Sequence, residues 1–219
     1  MKSESSPQEP TDPQEEYYKE FLKQLWITKG CRFTANRRFK NKHNASTFSI
    51  AILSILVIAA GITLLVFTDE SGPSFVFLNI TIVSSSVFIL VISILESSRD
   101  YPLRADVMLR SAQRISELHD RLSTERAHQA VSKEFFEDIR AKYHQTLRDF
   151  RDNHSNIDFF YFMANHPRKF KLEGFKKLPR MWRYKFLWWW NVWGFCLVIM
   201  VGYPLAMLGI FLYFQTSVL

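Results

Sequence analysis

TFSIAILSILVIAAGITLLVF, residues 47–67, and FVFLNITIVSSSVFILVISIL, residues 75–95, decide the fold of this chain. Each run is 21 residues long and carries no charge. About 20 helical residues cross a hydrocarbon core, so each run is long enough to span a bilayer. Thr47–Phe67 holds thirteen Leu, Ile, Val or Phe residues. At the helix centre these contribute roughly 4–8 kcal/mol towards insertion. Phe75–Leu95 holds fifteen, against Asn79, Thr81, Ser84, Ser85, Ser86 and Ser93. Those hydroxyls can bond to carbonyls one turn back, which keeps their cost modest. Only Thr68–Ser74 separates the runs, and a loop that short predicts an antiparallel hairpin. A third uncharged run, Leu187–Leu219, closes the chain.

The fold class expected from these runs is an all-α membrane protein. It comprises an N-terminal transmembrane helical hairpin, a cytoplasmic helical pair and a third C-terminal transmembrane helix. A mean hydropathy of −0.08 averages over segregated parts and does not indicate a soluble protein. Forty-six mostly polar residues precede the first run, which is wrong for a cleaved secretory signal and reads as a retained signal anchor.

Orientation follows from the basic residues. Nine Lys or Arg lie in residues 1–46 and the other nineteen in residues 96–186. The short loop carries Asp69 and Glu70 instead, and nothing after Lys185 is basic. The N-terminus and residues 96–186 are therefore expected in the cytoplasm, with the loop and C-terminus outside.

Outside the spans the chain divides by composition. Residues 1–14 lack a large apolar residue after Met1 and read as a disordered tail. Residues 15–46 read as a basic amphipathic juxtamembrane helix on, or rising from, the inner leaflet. Its stripe is Tyr18, Phe21, Leu22, Leu25 and Trp26, and its cations include Arg32, Arg37 and Arg38. Positive-inside topology alone would also explain those cations. In residues 96–165, Leu103, Val107, Met108, Ala112, Ile115, Leu118 and Leu122 recur at helical spacing after Pro102. Ser132 can cap a second helix bearing Phe136, Ile139, Tyr143, Leu147 and Phe150. The spacing leaves open whether 123–131 breaks the first of these helices. Residues 166–190 form a basic, tryptophan-rich interfacial segment. Lys176, Lys177, Arg180, Trp188 and Trp189 are its candidates for lipid headgroups or a trigger. The third span is set at 191–214, crossing over about Val192–Leu212 with a kink at Tyr203-Pro204.

Within the membrane, Ser54 and Gly61 are spaced by seven, as are Asn79, Ser86 and Ser93. Each set lies on one helix face, where small and polar residues permit close helix contact. Such faces can hold the hairpin together, line an oligomeric pore or join protomers. No span contains an acid, a base or a histidine, which argues against a proton-coupled transporter.

Enzyme chemistry finds little support. His154, Asp158 and His166 are the best catalytic cluster, with His154 and Asp158 facing one way if helical. The alternative is a capped, salt-bridged turn at the membrane surface, and that is the expectation. No phosphate-binding glycine loop or hydrolase motif is present. Cys31 and Cys196 lack metal-ligand spacing, and no metal or cofactor is expected. The sequons at Asn44 and Asn79 read as chance. No recognised motif supports sequence-specific nucleic-acid binding.

Several segments together resemble the SLATT domain family of bacterial two-span membrane proteins. They are LWITKGCRFTANRRF (25–39), the hairpin, YPLRA (101–105), the helix through SELHDRL (116–122), and NHSNID (153–158). The resemblance covers roughly residues 15–165, and none of its motifs is catalytic. The added C-terminal span is similar to the subfamily that accompanies reverse transcriptases, including retron-type systems. The resemblance implies a pore-forming effector of antiphage defence, held silent and then triggered to permeabilise the inner membrane in abortive infection. It also implies a homo-oligomer, with a reverse transcriptase–RNA complex or a nucleotide-signalling enzyme as trigger. A non-conducting membrane scaffold that recruits a cytoplasmic partner is the alternative.

Overall fold

The computed structural model describes residues 13–67, 73–128, 131–150, 152–170, 178–205 and 209. Every element among them is helical: α1 (Pro13–Phe67), α2 (Pro73–Ser97), α3 (Tyr101–His128), α4 (Lys133–Asp149), α5 (Asn156–Asn165) and α6 (Leu178–Leu197). A five-residue π-helix, Val198–Gly202, follows α6. The expected tail 1–14 and the hairpin loop lie almost wholly outside the described residues. The chain divides into two compact units, one holding residues up to Asn36 with Asp106–Phe162, the other Arg37–Ala105 with Met163 onwards.

α1 opens with Pro13 in its first turn, followed by Glu15 and Glu16, which suit the exposed N–H groups and dipole there. It continues unbroken to Phe67. The expected boundary between a juxtamembrane helix and the first span at 46/47 is therefore not a helix break.

In the first unit, α1, α3 and α4 enclose one apolar core. Leu25, Ile115, Leu122 and Ile139 are fully buried in it, with Phe21, Phe136 and Tyr143 around them. Burying a Leu or Ile side chain contributes about 1.5–3 kcal/mol. Phe136 meets Phe21 edge-on at 5.3 Å, and Phe21 meets Tyr143 at 5.6 Å. The predicted pair α3/α4 thus gains α1 as a third partner. The stripe Tyr18, Phe21, Leu22 and Leu25 packs on protein, against the apolar faces of α3 and α4. The α3 stripe holds from Met108 to Leu122, but Leu103 is 62% exposed, and Tyr101 and Ala105 are buried in the first turns instead. Ser132 caps α4 as predicted, its side chain accepting from Phe135 N. α3 runs on through 123–128, residues 129 and 130 lie outside the described residues, and Val131 and Ser132 are not helical.

In the second unit, most of the apolar surface of α1 and α2 is exposed, as lipid-facing helices require. Ile58 is 63% and Leu65 82% exposed, while Leu53, Leu64 and Ser85 are buried. α1 and α2 are both long and apolar enough to cross a membrane. A third span exists if Leu178–Gly194 and Val198–Leu205 are taken together; these helices are bent by 58°. The bend falls at 195–197, upstream of the expected kink at Tyr203-Pro204. Pro204 lacks an N–H and crowds the carbonyl four residues back. The chain before it widens into the π-turn and absorbs the strain there.

Candidate functional site: the membrane face and the buried polar cluster

The intramembrane hydroxyls satisfy themselves. Ser54 Oγ donates to Ile50 O (2.9 Å), Ser86 Oγ to Ile82 O (2.9 Å) and Ser93 Oγ to Ile89 O (2.7 Å). They therefore cross the membrane without a partner helix. Ser54, Asn79 and Ser93 are half-buried, and Ser86 is exposed. A Cβ added at Gly61 would meet nothing within 4 Å. Gly61 and Ser86 thus face outward and do not serve the packing of α1 on α2. Thr63 and Ser84 are exposed as well.

Sequence reasoning passed over Ser85. It is 4% exposed and donates to Thr81 O (2.6 Å). Its single proton is thereby used, so Tyr203 donates its phenolic proton to Ser85 Oγ, also at 2.6 Å. Tyr203 also stacks on Phe88, with ring centres 4.7 Å apart and planes at 6°. Beside these contacts lies a crevice of about 270 Å³ lined by Leu53, Val57, Thr81, Ile82 and Pro204 among others. Three serines in a row gave no signal as to which one faces a partner.

The basic candidates separate on burial. Arg37 and Arg180 are exposed, and Trp189 is 44% exposed, so all three can meet headgroups. Lys176 and Lys177 lie outside the described residues. Trp188 is buried. Arg38 is buried too, its guanidinium 4.5 Å from the centre of the Phe39 ring; Arg104 lies 4.6 Å from the same ring. Arg32 is only 2% exposed and donates through Nη1 to the fully buried Ser111 Oγ. Its Nε has no hydrogen-bond partner among the described residues. Desolvation lowers the Arg32 pKa from its usual value. Arg32, Arg38 and Trp188 are therefore corrected from interfacial to interior residues. A cation on an amphipathic helix reads as exposed until its partners are known, and the partner of Arg32 is 79 residues away.

His154 and Asp158 do not share a helical face, because His154 precedes α5. Ser155 begins that helix, its carbonyl accepting from Asp158 N at 3.0 Å. Its N–H and its hydroxyl both donate to Asp158 Oδ2 at 3.1 Å, the reciprocal half of a capping box. Asp158 is fully buried. One turn on, Phe162 lies against Gly30, where an added Cβ would come within 2.1 Å of the ring. Trp26, one turn earlier on α1, meets the same ring at 4.9 Å. Phe162 thus docks α5 on the i, i+4 notch Trp26/Gly30. Burial pushes the Cys31 thiol up to about 12, and the Asp158 charge adds to that shift. Burial also lowers the pKa of His154, opposed by the Ser155 carbonyl and Asp158 and aided by Arg32. His166 belongs to the other unit. Among the described residues no three His, Cys, Asp or Glu side chains converge as metal ligands.

Long uncharged runs within α1 and α2, and a helical bundle with no strand among the described residues, define an all-α membrane protein. Residues 14–211 match SMODS and SLOG-associating 2TM effector domain family 5, SLATT_5. The match takes in most of the chain, α6 included, and the chain belongs to that family. No curated protein and no solved structure matches it. The protein is thus a member of a family of membrane effectors of conflict systems.

Proposed function

We propose that this chain is a triggered, membrane-permeabilising effector of bacterial antiphage defence that kills the infected cell before phage release. Its spans would assemble with those of other copies into a pore in the inner membrane. The bundle would stay in the cytoplasm with the N-terminus and residues 96–186, and the C-terminus would lie outside. No catalysis is involved in this reading. The observation that carries it is the outward face of the hairpin. Gly61 is open to its surroundings and Ser86 is exposed, each within the uncharged run of its helix. Self-satisfied hydroxyls and a bare glycine tolerate lipid in a single copy and line a hydrated path when copies gather. The family membership supports the effector role, and the retron-type association with a reverse transcriptase–RNA complex as trigger is its finer form. A nucleotide-signalling enzyme would serve the same purpose.

The test is the membrane potential of bacteria after induced expression, read with a potential-sensitive dye beside an impermeant DNA dye. Rapid depolarisation is expected, and DNA-dye uptake reports the size class of the pore. Gly61→Leu and Asn79→Leu should insert normally and lose toxicity. If both insert and remain fully toxic, the pore face lies elsewhere. The second reading is a non-conducting scaffold, favoured by the open grooves of the bundle, which could hold a partner. An intact potential with the neighbouring genes and phage present would select it.

A further inference from the structure

Two grooves of equal size flank α4 in the first unit. One lies between α1 and α4 and has a volume of about 510 Å³. Lys23, Arg140 and His144 line it with one lining carboxylate, Glu20, over an aromatic floor of Tyr17 and Phe21, and Arg140 also lies 3.9 Å from Glu137 on α4. The other lies between α3 and the start of α4 and is also about 510 Å³. There Glu117, Asp120 and Glu125 outnumber Arg121, and Phe135 closes one end. Asp120 accepts from His119 at 3.1 Å and pairs with Lys29 at 3.7 Å, yet its side chain remains 67% exposed. Those partners hold its carboxyl below the usual range, His119 contributing most, so it stays negative.

A small anion would account for the basic groove and leave the acidic one unexplained. A single occupant, another copy of the same bundle, accounts for both through charge complementarity. Grooves between packed helices accept the side-chain ridge of a further helix. Each groove also offers an aromatic side chain among its charges, Tyr17 at 45% exposure in one and Phe135 half-buried in the other. We propose that the basic α1/α4 groove of one copy receives the acidic α3/α4 face of the next, joining copies head to tail. Such a contact uses two different patches, so it propagates to a ring or an open chain, whereas a self-complementary patch stops at a dimer. The inference deepens the reading of the protein as a self-assembling effector and names the surface through which assembly would proceed.

The experiment is disulfide cross-linking of the full-length protein in its membrane, with Glu20→Cys and Thr124→Cys placing one thiol in each groove. Native Cys31 and Cys196 are buried. Oxidation should give a ladder of trimers and larger species, and each chain carrying only one of the two added cysteines should give none. Lys23→Glu with Arg140→Glu should cut the ladder about tenfold or more, because attraction becomes repulsion across the contact. Adding Glu117→Lys and Glu125→Lys to that chain reverses the opposite face and should restore the ladder, which a misfolded protein could not do. Dimers alone from one cysteine, a ladder indifferent to charge reversal, or failure of the fourfold swap to restore it would each overturn the proposal. So would the absence of a ladder together with polyphosphate binding that Lys23→Glu and Arg140→Glu abolish, which would assign the basic groove to an anionic ligand. Potential measured in the same cells separates the two readings. A ladder without depolarisation keeps the interface and removes the pore, and depolarisation without a ladder does the reverse.

Discussion

Tyr203 donates to Ser85 at 2.6 Å, and Ser85 is the central residue of the uncharged run 75–95. Ten residues lie on either side of it, about 15 Å of helix each way. The bond therefore sits at the centre of that run and joins the segment after α6 to α2. In an apolar surrounding, a hydroxyl pair specifies a position that apolar contacts alone leave free to slide.

Tyr203→Phe retains the stack on Phe88 and removes only the donated bond. The expected loss is about 0.6 kcal/mol, the mean for interhelical hydrogen bonds in membranes, with about 1.7 as an upper bound. Ser85→Ala should cost a similar amount, and the double variant no more than either single one. Thermal unfolding in a mild detergent, run as a double-mutant cycle, measures this; full additivity would show that the two hydroxyls do not interact.

Gly30→Ala decides between two opposed effects. In a free helix the change favours Ala by about 1 kcal/mol. Here the new methyl would meet the buried Phe162 ring at 2.1 Å. Overpacking costs about 1–3 kcal/mol, so the net effect should be destabilising. Phe162→Leu in the same chain should recover part of the loss. A stabilised Gly30→Ala protein would mean that α5 can leave the notch freely.

The Arg32–Ser111 contact predicts an asymmetric cost. Ser111→Ala leaves a buried guanidinium N–H without its acceptor, on a side chain whose Nε already lacks one. The penalty for an unsatisfied buried group is about 1–3 kcal/mol, more when it is charged. Arg32→Met removes the buried charge with most of the side-chain volume kept and should cost less than Ser111→Ala. Denaturant titration of the two variants checks the order.

Much of this fold is written locally in the chain. The two apolar runs, the Ser132 cap and the period-3.6 stripes of α3 and α4 depend on residues within a few positions of one another. What covers a stripe is a different matter. Tyr18, Phe21 and Leu25 would look the same packed on lipid or on Phe136, because amphipathicity records an apolar neighbour without identifying it. Arg32 read as interfacial for the same reason, its acceptor Ser111 being supplied by another helix. The notch at Gly30 depends on Phe162, the role of Ser85 on Tyr203, and the grooves beside α4 on three helices at once. Long-range pairings of this kind leave no spacing pattern in the sequence.

His154 gives the bundle a pH dependence whose sign is fixed. Its pKa is lowered in the folded protein, chiefly by burial, so the unfolded chain binds the proton more readily. Where the unfolded state holds more protons, stability rises with pH. The contribution of His154 is therefore fully present above its unfolded value of about 6.5 and falls away as the pH drops through that value towards the lower folded one. Charging the imidazole places it near Arg32, which opposes protonation, and near Asp158, which favours it. Burial outweighs Asp158, so acid should loosen the turn ahead of α5. Unfolding midpoints followed from pH 7.5 down to 5.5 should decline in the native chain. His154→Gln, which cannot titrate, should flatten the decline, and an unchanged slope in that variant would assign the pH dependence to other groups.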